Sequence, residues 1–248
     1  MRWRRRRRRL LALLSFRNEM RFLPGYFANV SPHVDGIIAL DDGSTDQSAA
    51  FVARQPKVLR LLSHPAHEDT DWNDAENHRE LVEASWDFGP SWLLGLDADE
   101  RVERQFRKRA ERIISGSDNR AYAVTVRELW DGPLQFRADG IWGQKWSARL
   151  FEARRDHQFH RQRLHCHWAP LNSRVDGTFP RADLTIYHLR MMWPADREAR
   201  RRRYTTLDPT RRFQAIGYDY LTDETDLRLE PVAPDRAYEP LPTATVHA

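Results

Sequence analysis

In the stretch Ser91-Trp92-Leu93-Leu94-Gly95-Leu96-Asp97-Ala98-Asp99-Glu100-Arg101, an almost unbroken apolar run stops at two carboxylates one residue apart. Such a run suits a strand buried on both faces of a parallel sheet, and open α/β sheets bind ligands outside the C-terminal ends of their strands. Two carboxylates there suit a divalent cation, which takes hard oxygen ligands and leaves positions for water and phosphate. The pair alone decides little. Asp69-Thr70-Asp71 repeats the pattern inside a polar segment with no apolar strand before it, and a plain polar turn reads the same way.

Working outward, residues 10–16 read as an earlier buried strand whose end is the polar segment 15–19. Phe22, Leu23, Tyr26, Phe27 and Val30 then recur at helical spacing. Gly36-Ile37-Ile38-Ala39-Leu40 is a second strand and ends in Asp41-Asp42-Gly43-Ser44-Thr45-Asp46, with Ser44 or Thr45 suited to cap the helix that follows. Residues 58–62 make a third strand, and a polar loop leads into a helix over 72–87. On that helix Trp72, Ala75, Arg79, Val82 and Trp86 share a face. An arginine on such a stripe either snorkels at its edge or offers a fixed donor to an anion or base.

Beyond the two aspartates, Val102, Phe106, Ala110, Ile113 and Ile114 predict a helix and residues 121–126 a strand. A long connection, 127–147, carries Trp130, Phe136, Trp142 and Trp146 among three glycines, and connections of that length are usually functional or ordered by their own side chains. Trp130, Trp142 and Trp146 are read as an acceptor surface or as ordinary packing, and Trp72, Trp86 and Trp92 as core. Ala148-Arg149-Leu150-Phe151 reads as a short strand, residues 184–189 as a last strand, and residues 196–204 as a basic helix. From residue 222, four prolines and few aliphatic residues predict a poorly ordered tail over 222–248. Strand alternating with helix, with polar residues closing each strand, predicts one α/β domain over 10–221 built on a mainly parallel sheet.

The composition bounds the alternatives. A chain of 248 residues can bury one sizeable core. The single cysteine, Cys166, excludes an intrachain disulfide framework and fits a reducing, cytoplasmic compartment. The net charge of +4 belongs to the beginning of the chain, since without the seven arginines at Arg2 and Arg4 to Arg9 the remainder carries −3. That run and the short apolar stretch after it lack a cleavage site, so a secretory signal is not expected. The arginines read as a solvated tail, or as a weak attraction to anionic head groups at the inner face of a membrane. An acidic body without a second basic stripe argues against nucleic acid.

Taken together, residues 15–19 at the first strand end, Asp41-Asp42-Gly43-Ser44-Thr45-Asp46 at the second, Asp97-Ala98-Asp99 at a later one and His188 on the last strand resemble, in order and spacing, the family 2 glycosyltransferases of GT-A fold. The resemblance covers about residues 10–205 and is stronger in the first hundred. It implies a Rossmann-related sheet flanked by helices, with residues 10–119 binding a nucleotide-sugar and 120–221 a glycan, lipid-linked or other hydroxyl acceptor. It implies that Ser15, Phe16, Asn18 and Glu19 line the nucleotide pocket, that Asp42 accepts a hydrogen bond from base or ribose, and that Arg79 faces the nucleotide. Asp97 would meet the ribose or a metal-bound water, Asp99 would bind Mg²⁺ or Mn²⁺, and His188 would complete the metal or diphosphate contacts. Arg197 and Arg200 to Arg203 would add contacts to the diphosphate or remain a solvated basic face.

The chain departs from the family where a general base is expected. Inversion requires a group that takes the acceptor's hydroxyl proton, and family members often carry an acid directly after a histidine at a position that here holds Cys166. Either a histidine serves, with His165 first, or Asp139 or Asp131 reaches the site, or the protein binds nucleotide or glycan without turnover. A zinc site at His165-Cys166-His167 is disfavoured, because strand alternation would split the three side chains and no fourth ligand is spaced suitably. A pyrophosphorylase would need a glycine-rich, arginine-bearing first loop, and phosphatases that use Asp-x-Asp carry it after the first strand.

Overall fold

The computed structural model describes residues 8–68, 72–116 and 118–242. Most of the arginine run and the Asp69-Thr70-Asp71 motif therefore lie outside the described residues. Four parallel strands form the first half of the sheet: β1 (Leu10–Phe16), β2 (Gly36–Asp41), β3 (Val58–Ser63) and β4 (Trp92–Gly95). The second half adds β5 (Glu100–Val102), β6 (Ala121–Glu128), β8 (Trp146–Glu152) and β9 (Arg181–His188), giving the order β3-β2-β1-β4-β8-β6-β9-β5. β8 enters antiparallel to both β4 and β6, so the parallel pattern is strictest in the first half. A separate pair joins β7 (Gln135–Arg137) to β10 (Leu229–Pro231).

Side-chain alternation along β1 explains the two main cores. Leu10, Ala12, Leu14 and Phe16 face α1 (Leu23–Val30), α2 (Ser48–Ala53) and α4 (Phe106–Gly116), while Leu11 and Leu13 face α3 (Asp74–Ser85). Period-2 alternation with both faces covered accounts for the continuous apolar sequence of this strand. A third cluster forms where Trp130, Trp142, Met191, Tyr218 and Leu221 pack beyond the last strand, beside α5 (Gly140–Gly143) and α6 (Pro194–Leu207). Trp130 and Trp142 are thus buried against one another and do not offer an open acceptor surface.

Residues 222–242, expected to be poorly ordered, pack onto this frame. β10 pairs with β7, and Tyr238 is buried against Tyr187 and donates to the Pro133 carbonyl at 2.8 Å. Composition missed this because the segment is held by a short edge pairing and one aromatic anchor rather than by its own apolar periodicity.

The order β2-β1-β4 places the topological switch point between β1 and β4. From β1 the chain winds outward through β2 and β3, then returns to the other side of β1, leaving a crevice at the strands' C-terminal ends. The turns after β1, β2 and β4 all open there.

Candidate donor-binding site

On the β4 side of the crevice, Asp99 is buried and its Oδ2 meets His188 Nε2 at 3.1 Å and Arg190 Nε at 2.5 Å. Pairing of β9 with β6 and β5 sets Glu128 and Glu100 in register with His188. His188 Nδ1 lies 2.5 Å from Glu128 Oε2, which fixes the ring. Burial alone would lower the His188 pKa, but Glu128 and Asp99 hold it up to about 9. Burial opposes ionisation of Asp99, yet His188 and Arg190 keep it well below the usual carboxylate range. Arg190 also pairs with Glu19, which burial raises to about 7 against the pull of that guanidinium. Arg200 adds a further cation, its Nη1 3.3 Å from His188 Nε2.

The turn that carries the aspartates is held from beneath. Arg149 donates to Glu100 Oε1 at 2.5 Å and to Asp97 Oδ2 at 3.2 Å, and the Asp97 N–H donates to Glu100 Oε2 at 3.0 Å. Asp97 itself remains half-exposed. Arg101 is buried and donates to the carbonyls of Ala98 at 2.9 Å, Glu100 at 2.8 Å and Phe22 at 2.9 Å. Gly25 makes room for it, since a Cβ there would lie 2.6 Å from its Nη2.

On the β2 side, Asp42 is buried, and its Oδ1 takes His64 Nδ1 at 2.7 Å and His67 Nε2 at 3.2 Å. The second His64 nitrogen reaches Glu80 at 3.0 Å. Burial would raise Asp42, but the hydrogen bonds from His64, His67 and Asn77 outweigh it and lower its pKa. Asp42 Oδ2 is buried without a hydrogen-bond partner among the described residues. Asn18 ties the two strand ends together. In a left-handed conformation, φ 54°, it accepts from the Thr45 and Asp46 N–H groups, while its own N–H donates to Ser44 Oγ. Ser15 accepts from Asn77 at 3.3 Å, and Phe16 is core.

The structure therefore brings together Asp99, His188 and Glu19, with Asp97 at the same turn, and sets Asp42 and Asn18 at the neighbouring strand ends. It does not bring in Arg79, which sits on the solvent side of α3 and pairs with Glu76 and Glu83. The inward face of that helix runs through Ala75, His78, Leu81, Val82 and Ser85, so the stripe drawn through Trp72 and Trp86 was rotated off it. Asp139 is clamped by Arg137 Nε and Nη2 at 2.9–3.0 Å and accepts the Arg228 N–H at 3.1 Å. Burial opposes this charge, yet those donors lower its pKa, which makes it a poor base. His165, at φ 59°, meets Tyr218 Oη at 3.1 Å, and desolvation beside Tyr204 and Tyr218 lowers it to about 4. Asp131 is taken by Arg197, which is itself stacked on Trp130.

Glu128, Glu100, Arg149 and Arg190 went unread in the sequence. Arg149 carried a usable signal, because an arginine in the middle of an apolar strand is costly unless a buried partner meets it.

Among the described residues no three His, Cys, Asp or Glu side chains form a metal cage, and no helix is long and apolar enough to cross a membrane. Asp99 Oδ2 and His188 Nε2, 3.1 Å apart, are a carboxylate and an imidazole, which would take a divalent cation only in exchange for the proton that Asp99 and Glu128 hold on the imidazole.

No family model matches the chain. Uncharacterized proteins of Mycobacterium tuberculosis and Mycobacterium bovis are each 28% identical over 239 residues, covering 88% of this chain and 57% of their own length. The chain thus spans little more than half of the curated relatives it matches first. A TPR repeat-containing protein of Synechococcus elongatus is 28% identical over 148 residues, 58% of this chain and 32% of that protein. Among solved structures, S. aureus TarS superposes with a TM-score of 0.51 at 12% identity over 81% of this chain and 40% of that one. TarS 1–349 in complex with UDP gives the same TM-score and identity over 87% of this chain and 70% of that one. What is shared at that identity is the fold, a glycosyltransferase fold of GT-A-like type.

Proposed function

We propose that this chain is a metal-dependent, inverting glycosyltransferase of the family 2 kind, moving a sugar from a nucleotide-sugar to a hydroxyl acceptor. The observation that carries the reading is the pairing, at one switch-point crevice, of a cationic and carboxylate cluster around Asp99 with a buried Asp42 that has one unpartnered oxygen. A buried acceptor without a partner costs free energy until a ligand donates to it, so Asp42 Oδ2 suits an N–H or hydroxyl of the nucleoside. Ser15, Asn18 and Glu19 would shape the same wall, with Phe16 buried in the core behind it, and Asp97 would face the ribose or a water on the cation.

Asp99 and His188 would hold Mg²⁺ or Mn²⁺. When bound, such an ion supplies Lewis-acid stabilisation of charge gathering on the leaving diphosphate. Arg190 and Arg200 stand beside the same atoms and are suited to charge-assisted hydrogen bonds with phosphate oxygens. In this reading the first nine residues add a weak attraction to anionic head groups on the cytoplasmic face of a membrane.

The test is a thermal-shift panel of UDP, GDP, CDP and TDP with and without Mn²⁺, repeated for Asp99→Asn. One diphosphate should stabilise the protein only with the metal, and the variant should lose that increment while remaining folded. Absence of stabilisation by all four would refute the reading.

A further inference from the structure

The unpartnered oxygen of Asp42 serves a ligand only if the carboxylate is held in one orientation, because the terminal torsion of an aspartate is soft. Asp42 Oδ1 meets His64 Nδ1 at 2.7 Å and His67 Nε2 at 3.2 Å, and fixing that oxygen fixes its twin. His64 is itself held at two points. Its backbone N–H donates to the Asp41 carbonyl at 2.8 Å, directly after β3 ends its pairing with β2. Its ring reaches Glu80 Oε2 at 3.0 Å. Glu80 stands on α3 one turn beyond Asn77, whose amide donates to Ser15 Oγ at 3.3 Å, so the two residues share the edge of the helix nearest the strand ends.

We infer that Glu80 is a positioning residue of the donor site, holding Asp42 through the His64 ring so that Oδ2 meets the nucleoside. The assignment rests on the proposed use of a nucleotide-sugar, and in it Glu80 acts without touching the ligand. Both partners of the ring are carboxylates, which accept, so His64 serves both only when each of its nitrogens carries a proton.

The surroundings favour that doubly protonated ring. Burial opposes its charge, but the hydrogen bonds to Asp42 and Glu80 raise its pKa above the ordinary 6.5. As pH rises through the raised value, one proton is left for two acceptors, the tether opens at one end, and nucleoside affinity falls. His67 titrates beside it, raised by its bond to the Glu68 carbonyl and by Asp42, with burial and Arg17 opposing. Arg17 stands behind that second ring, its Nη1 3.2 Å from His67 Nδ1. Substitution of Glu80 leaves His67 and Arg17 unchanged and so isolates the part played by His64.

The test is isothermal titration of UDP, GDP, CDP and TDP, each with Mn²⁺, into the wild type, Glu80→Gln and Glu83→Gln between pH 5.5 and 8.5, together with an NMR titration of the His64 ring. The ring should titrate above 6.5 in the wild type and at lower pH in Glu80→Gln. Near pH 7, Glu80→Gln should bind the preferred diphosphate about 3–10-fold more weakly than the wild type. The midpoint of its affinity profile should fall together with that of the ring, an effect a merely structural role would not produce. Glu83→Gln removes a carboxylate that pairs with Arg79 on the solvent side of the same helix, and should bind like the wild type. Equal affinity in Glu80→Gln, an unmoved midpoint, or an equal loss in Glu83→Gln overturns the assignment and leaves the nucleotide-sugar reading standing. A wild type that binds none of the four diphosphates removes that reading, and the assignment with it.

Discussion

Arg149 Nη2 lies 2.5 Å from Glu100 Oε1, directly beneath the turn that presents Asp97 and Asp99. Removing one partner of a buried ion pair strands the other, at a cost of about 3–5 kcal/mol. Arg149→Met should lower unfolding stability by about that amount, and adding Glu100→Gln should restore much of it. Because burial already raises Glu100 to about 7, the single variant's loss should grow as pH rises and the carboxyl is forced to ionise. Urea denaturation at pH 5.5 and 8 measures both effects.

Gly95 and Trp168 form a second tight relationship. A Cβ on Gly95 would lie 2.1 Å from the Trp168 ring, so one of the two must shift to admit it. Gly95→Ala should therefore cost about 1–3 kcal/mol through overpacking, and the double variant with Trp168→Leu should fall short of the sum of the singles. A double-mutant cycle in denaturant would show full additivity if the two did not touch.

The histidine beside Asp42 gives a pH dependence with a defined sign. Burial opposes protonation of His64, but the hydrogen bonds its ring donates to Asp42 and Glu80 raise its pKa above the ordinary 6.5. Its contribution to stability is present below about 6.5 and lost as pH rises through the higher folded value. His64→Gln should flatten the decline of wild-type stability across that window. An unchanged slope would place the proton elsewhere.

If Asp99 and His188 hold the cation, Glu128 acts on it through the imidazole it orients. Glu128→Gln should weaken Mn²⁺ binding in the UDP complex by about 10–100-fold while leaving metal-free UDP binding nearly unchanged. Isothermal titration separates the two, and equal loss in both would assign Glu128 a purely structural role.

Tyr238 tests the extension of the fold past residue 221. It is buried against Tyr187, with ring centroids 4.8 Å apart. Tyr238→Ala should cost about 3 kcal/mol, within the range for removing a buried aromatic. A change near zero would mean that the segment contributes nothing to the folded core.

The first half of the sheet was legible because β1, β2 and β4 are buried on both faces and stop at turn residues, so the pattern in residues 10–16 and 92–96 carries the topology almost directly. The positions of Asp42, Asp99 and His188 were legible for the same reason, each sitting beside a strand end. What the sequence concealed was pairing across distance. Nothing local to Glu128 announces that it will meet His188 on a strand 60 residues away. Arg79 misled because helical spacing defines a stripe only to within about one residue, and Trp72 lies outside the helix that sets the stripe's true direction.

Arg101 joins the Ala98 and Glu100 carbonyls, in and just after the Asp97-Ala98-Asp99 turn, to the start of α1, so the protein's own hydrogen bonds hold that turn. Under the proposed function, a donor docking there would meet a turn already held in place, and most of the entropic penalty of association would fall on the ligand. Capture should then follow encounter, with association rates that respond to salt through the surrounding guanidinium groups and hardly at all to solvent viscosity beyond diffusion. Gly25, two residues into a neighbouring helix, would thereby become a kinetic determinant. A methyl group there would displace Arg101, loosen the turn and slow capture without altering any atom that touches the donor.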